Sequence, residues 1–564
     1  MLTRRSILLG LGASSLALPF GARRAFAQAS RPRLHAMIVG INTYKGRIAH
    51  RNADQSITYL PIPQLHGCIN DARSIEAVVR PLAATTRVLL DGDVTRAAFL
   101  RNWQEMVAGS APGDALLVTY SGHGSQERER GPGATTEGLH DSFILASFDS
   151  SKPVLSQERI LDEEMQGLWK SVQGRNKIIF VADSCHSGGM TRNIDARVAA
   201  GLQYRTAGIY DVESDLQAEI KIPRASNTLE LPHVVFLAGA QPSELVPEFA
   251  IDGRPQGALS WSFASALAGR ADSNGDGVVS GAELSSFVLR SIRTLSDSGQ
   301  HPNVRWPQAD VRSGVEMPPD GPLFFLSSAP AAPAPEPETG LMRFDIRGTS
   351  DDQRIAVART LSRATLVRPG QAAELTWDAS TLEVFDKFGN TLASSVAAGD
   401  LQAIVDRAEA IEAIRQMTLT SGLDMRLMLP EEQFFMSPSI ASDRTHARGT
   451  HLMLAVTGRR YPYFALFNIA GSGTVQFLYP LTERNDPPRI DPEAPYKLPL
   501  DVSAPFGADH LVAVASANDL SGLLTPLRKL DGRKEPALAA KELTRSFSSK
   551  QVRVGMQGVF TTDR

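Results

Sequence analysis

Cysteine is nearly missing from this chain: two in 564 residues cannot build a disulfide framework, so the fold has to be held by buried apolar surface. Aromatic residues are sparse, at 7%. Neither sign of charge is in excess, with 58 Lys and Arg against 61 Asp and Glu, which gives no electrostatic footprint for nucleic acid or an anionic membrane surface. Beyond the first 27 residues no run approaches the roughly 20 consecutive apolar residues that a spanning helix needs. What the chain does have is 42% hydrophobic residues, enough for real cores in two to four domains rather than disorder.

The amino terminus differs from the rest. Thr3-Arg4-Arg5-Ser6-Ile7-Leu8-Leu9 opens an apolar run to about Phe20, and Ala25-Phe26-Ala27 supplies small residues for cleavage before Gln28. Residues 1–27 read as a secretory signal of the twin-arginine type, which sends the mature protein to the periplasm or out of the cell. Its apolar run is too short for an anchor. Without Arg4, Arg5, Arg23 and Arg24 the body carries 54 basic against 61 acidic residues, a charge of −7. In an oxidising compartment Cys68 and Cys185 can pair as one disulfide, the plain alternative to a free thiol.

From Arg33 the pattern alternates strand and helix. Apolar strands are expected at Leu34–Ile41, Thr85–Leu90, Leu116–Ser121, Phe143–Phe148, Lys177–Ala182 and His233–Ala240. Helices are expected at Gly67–Leu82, at Thr95–Val107 with Thr95 as cap, at Leu161–Val172 and at Ala258–Leu267. Such alternation predicts a mostly parallel sheet with helices on both faces. Gly124–Gly138 and Thr191–Leu231 read as loops, the second carrying Arg192, Arg197, Arg205 and Arg224.

Asp272–Glu283, DSNGDGVVSGAE, matches the helix–loop–helix calcium pattern at every specified position. Asp272, Asn274, Asp276 and Glu283 offer side-chain oxygens, Gly277 makes the sharp turn, and Val278 stands where a backbone carbonyl serves as ligand. The expected cofactor is therefore Ca2+, with a metal-free turn as the alternative; nothing points to an organic cofactor. Residues 327–340, rich in Pro and Ala, read as an extended linker to a separate β-rich domain at 341–564 with one helix near Asp400–Met417. That half has no cysteine and no tight cluster of His with acids.

Chemistry is concentrated at two strand ends, where open α/β sheets bind ligands. Cys185 follows the strand in Phe180-Val181-Ala182-Asp183-Ser184-Cys185-His186-Ser187-Gly188-Gly189, and His123 follows the strand in Tyr120-Ser121-Gly122-His123-Gly124. A thiol, an imidazole and the backbone N–H groups of Gly124 and Cys185 are the parts needed to attack a carbonyl and hold the oxyanion. A buried structural cysteine beside an unrelated histidine is the competing reading from spacing alone.

These two motifs resemble the paired histidine and cysteine motifs of the caspase-like clan, in particular the metacaspases and their bacterial, orthocaspase-type relatives. Leu65-His66-Gly67-Cys68-Ile69-Asn70-Asp71-Ala72 and Gln300-His301-Pro302-Asn303 are similar to further segments of that family, and the likeness covers about Arg33–Leu326. The resemblance implies a caspase-like α/β domain over 33–326, with His123 as base and Cys185 as nucleophile. It implies that Asp71, Ser121 and Asp183 line the first specificity pocket, where unpaired acids favour a peptide or protein substrate with Arg or Lys at the cleaved position.

This sequence departs from the family pattern in two places. Arg192 stands where many metacaspases have a calcium-binding acid, leaving Asp162, Glu163 and Glu164 as part of such a site, and Gln241-Pro242-Ser243-Glu244 replaces a cysteine-containing segment. A peptidase that cuts after basic residues has candidate self-cleavage sites in its own arginine-bearing loop. The alternative function is a catalytically idle scaffold whose carboxy-terminal half binds an envelope partner.

Overall fold

The computed structural model describes residues 32–563 except 53, 55, 129–138, 186–202, 213–230, 241–244, 252–253, 297–299, 301, 307–320, 327–340, 369–372, 387–390, 422, 429–444 and 548–550. The leader, the linker, His186, Arg192, Arg197, Arg224, His301 and Gln241–Glu244 lie outside the described residues.

A six-stranded sheet organises the amino-terminal half. Its strands are β1 (Leu34–Gly40), β2 (Ala83–Leu90), β3 (Ala115–Ser121), β4 (Lys177–Asp183), β5 (Val234–Ala238) and β6 (Asn303–Arg305), in spatial order β6-β5-β4-β3-β1-β2. All neighbours run parallel except β6, which pairs antiparallel with β5. Continuous apolar runs suit strands buried on both faces. Alternate residues divide between two cores: Val118 and Phe180 meet helices α2 (Arg96–Gly109) and α3 (Asp162–Lys170) through Trp103, Met106 and Trp169. Leu117, Ile179 and Val181 meet α1 (Cys68–Val79), α4 (Ala258–Ser265) and α5 (Gly281–Ser296) through Ile75, Phe263 and Phe287. Thr95 caps α2, its side chain accepting from Ala98 N–H at 3.1 Å.

The register sets the site. Ser121 lies opposite Gly40 on one side and Asp183 on the other, so the carboxyl ends of three strands are level. The chain leaves β1 for β2 on one flank and returns to β3 on the other, which opens a crevice at that end.

Two segments expected as loops contain strands. Gly124–Arg128 and Thr206–Tyr210 pair in parallel in a small sheet completed by Leu139–Ile144 and Arg159–Leu161. The first was masked by its glycines, and the second is five residues long with a glycine at its centre, too short to show a period. The strand expected at Phe143–Phe148 is displaced to Leu139–Ile144.

The carboxy-terminal half departs from expectation more broadly. It holds two five-stranded sheets and one of three strands. The long helix α6 (Leu401–Ser421) packs there with Ser521–Lys529 and Pro536–Phe547 around Ile414, Leu527 and Leu543, so this half is mixed rather than simply β-rich. Nor does it stand apart, since residues Arg33–Arg564 form one compact unit. Leu419 of α6 enters the core beneath α4 and α5, Arg415 donates to the Thr294 carbonyl at 2.8 Å and Arg293 to the Met425 carbonyl at 3.2 Å. No helix among the described residues is long and apolar enough to cross a membrane.

Candidate active site

His123 follows β3 after Gly122 and is fully buried. Its backbone is pinned on both sides: its N–H donates to Tyr44 Oη at 2.9 Å and its carbonyl accepts from Tyr120 Oη at 2.9 Å. Gly122 allows this, because a Cβ there would sit 2.8 Å from both tyrosine oxygens. Nε2 lies 2.8 Å from the Pro63 carbonyl, an acceptor only, so the proton is on Nε2 and the lone pair on Nδ1, which has no hydrogen-bond partner. Burial lowers the imidazole's pKa to about 4, against smaller opposing effects of the Pro63 carbonyl and Glu248.

Cys185 follows β4, its side chain buried against Ala240 and Val246. Val246 N–H donates to Sγ at 2.9 Å, and burial pushes the thiol up to about 12. Among the described residues no hydrogen bond joins Cys185 to His123. At neutral pH this is a thiol and a neutral imidazole, a resting pair.

The backbone around them is already occupied. Gly124 N–H and Cys185 N–H both donate to one oxygen, the carbonyl of Arg205, at 3.0 and 3.1 Å. Arg205 N–H donates to the Val246 carbonyl at 2.9 Å and Glu248 N–H to the Gln203 carbonyl at 2.8 Å, so Gln203–Arg205 lies as an added antiparallel strand against Val246–Glu248. Gly124 has to be glycine, since a Cβ would fall 1.6 Å from the Cys185 carbonyl oxygen.

The Arg205 side chain, 0% exposed, enters a pocket of acids. Its Nη2 donates to Asp71 Oδ2 at 2.6 Å and to Glu248 Oε1 at 3.3 Å, while Nη1 donates to the Asp183 carbonyl at 3.0 Å with Asp183 Oδ1 at 3.2 Å. Three buried carboxylates and one guanidinium leave negative charge in excess. Helix amino termini offset it: Glu248 accepts from His66 and Gly67 N–H ahead of α1, Asp71 from Gly257 N–H and Asp183 from Ser260 N–H at the start of α4. Gly257 leaves the room, as a Cβ there would lie 2.1 Å from Asp183 Oδ2. Ser121, expected to line the pocket, pairs its hydroxyl with that of Ser260 at 3.0 Å. Cys68 and Cys185 are both free, and Cys68 Sγ lies 3.7 Å from Glu248 Oε1.

Residues 35–193 match the family model of the metacaspase peptidase C14 domain. The chain carries a caspase-like, metacaspase-type peptidase domain. It is 25% identical over 274 residues to Metacaspase-1A of Neurospora crassa, covering 42% of this chain and 56% of the relative. It is 31% identical over 167 residues to Metacaspase-1 of Saccharomyces cerevisiae, covering 28% of this chain and 34% of that one. Thus the chain spans about half or less of the length of these relatives. A solved structure of a Geobacter sulfurreducens protein aligns with 52% of this chain and all of that one at 17% identity and a TM-score of 0.36, too slight a likeness to argue from.

The family-model match ends before Arg205, Glu248, Gly257 and Ser260, the four residues that sequence reading did not place in the site. Arg205 was one arginine of four in its loop, and Glu248 carried no local signal. Of the acids weighed as part of a metal site near the peptidase centre, Glu164 pairs with Arg96 at 2.8 Å, whereas Asp162 and Glu163 converge with His140, whose Nδ1 is 2.5 Å from Glu163. Burial raises the Asp162 carboxyl, and the adjoining Glu163 adds to it.

At the calcium-type loop the oxygens are turned inward. Asp272 accepts from the N–H groups of Gly275, Asp276 and Gly277, Asp276 from Val278 N–H, and Glu283 from Ser273 and Ser280. Asn274 Oδ1 accepts from Asp276 N–H at 2.9 Å. Gly275 and Gly277, both at φ 77°, make the turns. Val278–Ser280 is a short strand paired with Pro322–Phe325. The donor set, all oxygen and on the surface, fits a hard divalent cation.

Proposed function

We propose that the chain is a cysteine endopeptidase that cuts after Arg or Lys, with Cys185 as nucleophile and His123 as base, and that its own Arg205–Thr206 bond is its first substrate. One observation carries this reading: Arg205 offers its carbonyl to the two N–H groups suited to an oxyanion, its N–H to an edge strand, and its guanidinium to Asp71, Asp183 and Glu248. A substrate residue ahead of the cleaved bond needs these same three attachments.

The chemistry follows from the tautomer. Nδ1 of His123 takes the thiol proton as Sγ leaves Val246 N–H and attacks the Arg205 carbonyl carbon. The oxyanion keeps the Gly124 and Cys185 N–H donors. His123 then returns the proton to the Thr206 nitrogen, the C–N bond breaks, and a thioester to Cys185 remains for water to hydrolyse. The new amino terminus stays in place because Thr206–Tyr210 is a strand of the small sheet with Ala207 and Tyr210 buried. Withdrawal of the 203–205 side frees the pocket for other chains.

The test is prolonged incubation of the full chain followed by amino-terminal sequencing of fragments, beside hydrolysis of fluorogenic Arg, Lys and Asp peptides. The expected result is a fragment beginning Thr-Ala-Gly and turnover of Arg and Lys peptides, both absent in Cys185→Ala. Turnover unaffected by Cys185→Ala, or preference for Asp, overturns the reading. Two further parts of the proposal rest on sequence: export through the twin-arginine leader, tested by cytoplasmic retention of an Arg4→Lys, Arg5→Lys variant, and Ca2+ at Asp272–Glu283. Binding of an envelope partner by the carboxy-terminal half is tested by cross-linking in intact cells.

A further inference from the structure

Gln64 stands one residue from the carbonyl that orients His123, and the reaction as written does not use it. The residue is exposed, yet its amide is committed at both ends. Oε1 accepts from Tyr44 N–H at 3.0 Å, while Nε2 donates to the Tyr44 carbonyl at 2.6 Å and to the Ile62 carbonyl at 3.3 Å. These backbone partners fix which end of the amide is which, since an N–H only donates and a carbonyl only accepts. A side-chain amide that exchanges both bonds with one residue does the work of a rung between two strands. Leu65 N–H to the Asn42 carbonyl at 2.9 Å and Ile62 N–H to the Gly46 carbonyl at 3.2 Å flank it.

Both segments joined by this rung touch His123, at different atoms. Pro63 lies between Ile62 and Gln64, and its carbonyl takes the Nε2 proton at 2.8 Å. Tyr44 Oη accepts the His123 backbone N–H at 2.9 Å, and its ring lies against the imidazole with centroids 4.7 Å apart and planes at 50°. The Tyr44 segment is well anchored: Asp91, just past β2, accepts from Asn42 N–H at 2.7 Å and from Thr43 N–H at 2.9 Å. The Pro63 segment is not. Proline brings no N–H of its own, Pro63 is exposed, and the preceding strand, Ile57–Pro61, is exposed throughout and pairs only with Arg47–Arg51 among the described residues. Where the Pro63 carbonyl sits relative to the imidazole therefore depends on Gln64.

We infer that Gln64 is a positioning residue of the peptidase reaction: it locks the Pro63 carbonyl and Tyr44 into one unit that holds the His123 ring with Nε2 protonated and Nδ1 left to take the thiol proton. This rests on the reading of His123 as base. Gln64 acts on the rate rather than on substrate binding, because His66 and Gly67, which hold Glu248, are tied separately to Asn42 through Leu65 N–H and through Cys68 N–H at 2.9 Å.

The test has two arms. In the full chain carrying Cys185→Ala, proton–nitrogen NMR is expected to show one imidazole N–H protected from exchange, assigned by its absence from a His123→Gln variant, and Gln64→Ala and Gln64→Glu are each expected to abolish that protection. Gln64→Glu keeps the length of the side chain but turns an acceptor toward two carbonyls, so a residue that only fills space would tolerate it. In the active chain both variants are expected to lower kcat for Arg peptides by about tenfold or more, short of the roughly hundredfold that a 1 Å misplacement costs, with KM close to that of the parent. A ring N–H that stays protected in both variants, or an unchanged kcat, overturns the inference. Absence of Cys185-dependent turnover in the parent overturns the peptidase reading instead, and loss of ring protection in the Gln64 variants would still show Gln64 to orient His123.

Discussion

Two groups of acids in this chain have the same composition and opposite fates. Asp71, Asp183 and Glu248 are buried around a guanidinium of the chain itself, while Asp272, Asp276 and Glu283 sit at the surface and fold their oxygens onto backbone N–H groups. Burial makes the difference. A carboxylate in water needs no partner, so the loop is content with weak local donors, but a carboxylate out of water costs several kcal/mol unless a cation and fixed dipoles compensate. The buried group therefore selects a basic side chain, and the exposed group only offers a place for a cation.

The largest expected effect comes from removing the compensating charge. In a Cys185→Ala background, which prevents cleavage, Arg205→Ala leaves three buried acids without their cation and is expected to cost about 3–5 kcal/mol in denaturant unfolding. Benzamidine should restore part of this by mass action. A loss below about 0.5 kcal/mol, the usual range of a surface change, would show that the pocket fills with water at no cost.

Next in size is Glu248→Gln. It keeps the hydrogen bonds to the start of α1 in part but removes one of three charges from the guanidinium, and hydrogen bonds to charged groups are worth about 1.5–3 kcal/mol. Loss of kcat/KM by one to two orders of magnitude is expected for Arg peptides and less for Lys peptides, because the shorter reach of an ammonium leaves it to Asp71 and Asp183. Equal losses for both would assign Glu248 to scaffolding alone.

How much of this was legible in the sequence follows from the same contrast. The calcium-type loop is written within twelve consecutive residues, and β1, β3 and β4 announce themselves as apolar runs buried on both faces. The ends of β3 and β4 gave His123, Cys185, Asp183 and Ser121. The basic end of the pocket was not legible. Arg205 competes with three equivalent arginines, and what singles it out is a register: Thr206 opposite Gly124, which carries the preceding residue over Cys185 N–H. Glu248 arrives on a four-residue strand with no period to read. In the carboxy-terminal half, Pro526 inside Ser521–Lys529 hid a helix that Leu523, Leu524 and Leu527 bury.

A pH series separates the buried acids from the exposed ones. Burial raises Asp71 to about 7, with Asp183 adding to the effect and Arg205 opposing it. An acid raised by folding holds its proton better in the native state. Its contribution to stability is thus complete below the ordinary aspartate range, near 4, and is lost as pH rises to about 7. Affinity for a basic substrate runs the other way, since it needs the charged form. The expected pattern is a KM for Arg peptides that falls as pH rises through neutrality, and a flat profile in Asp71→Asn. A fall of equal size in that variant would place the titrating group elsewhere.

The smallest effect is expected at the loop. Without calcium, Asp272→Asn exchanges one exposed acceptor for another: the Asn oxygen can still take the N–H groups of Gly275 and Asp276, and that of Gly277 turns to water; stability should change by no more than about 0.5 kcal/mol. With calcium the same substitution removes a ligand. At a tenfold excess over its dissociation constant the ion stabilises the parent by about 1.4 kcal/mol, and Asp272→Asn should lose most of that gain while keeping its calcium-free melting temperature. A parent chain whose melting does not respond to calcium would make the loop a self-satisfied turn, and the contrast with the buried acids would then be one of packing alone. If instead Asp272→Asn destabilises strongly in the absence of calcium, the bonds to Gly275, Asp276 and Gly277 support the fold from α4 to α5, and burial is not what separates the two acid groups.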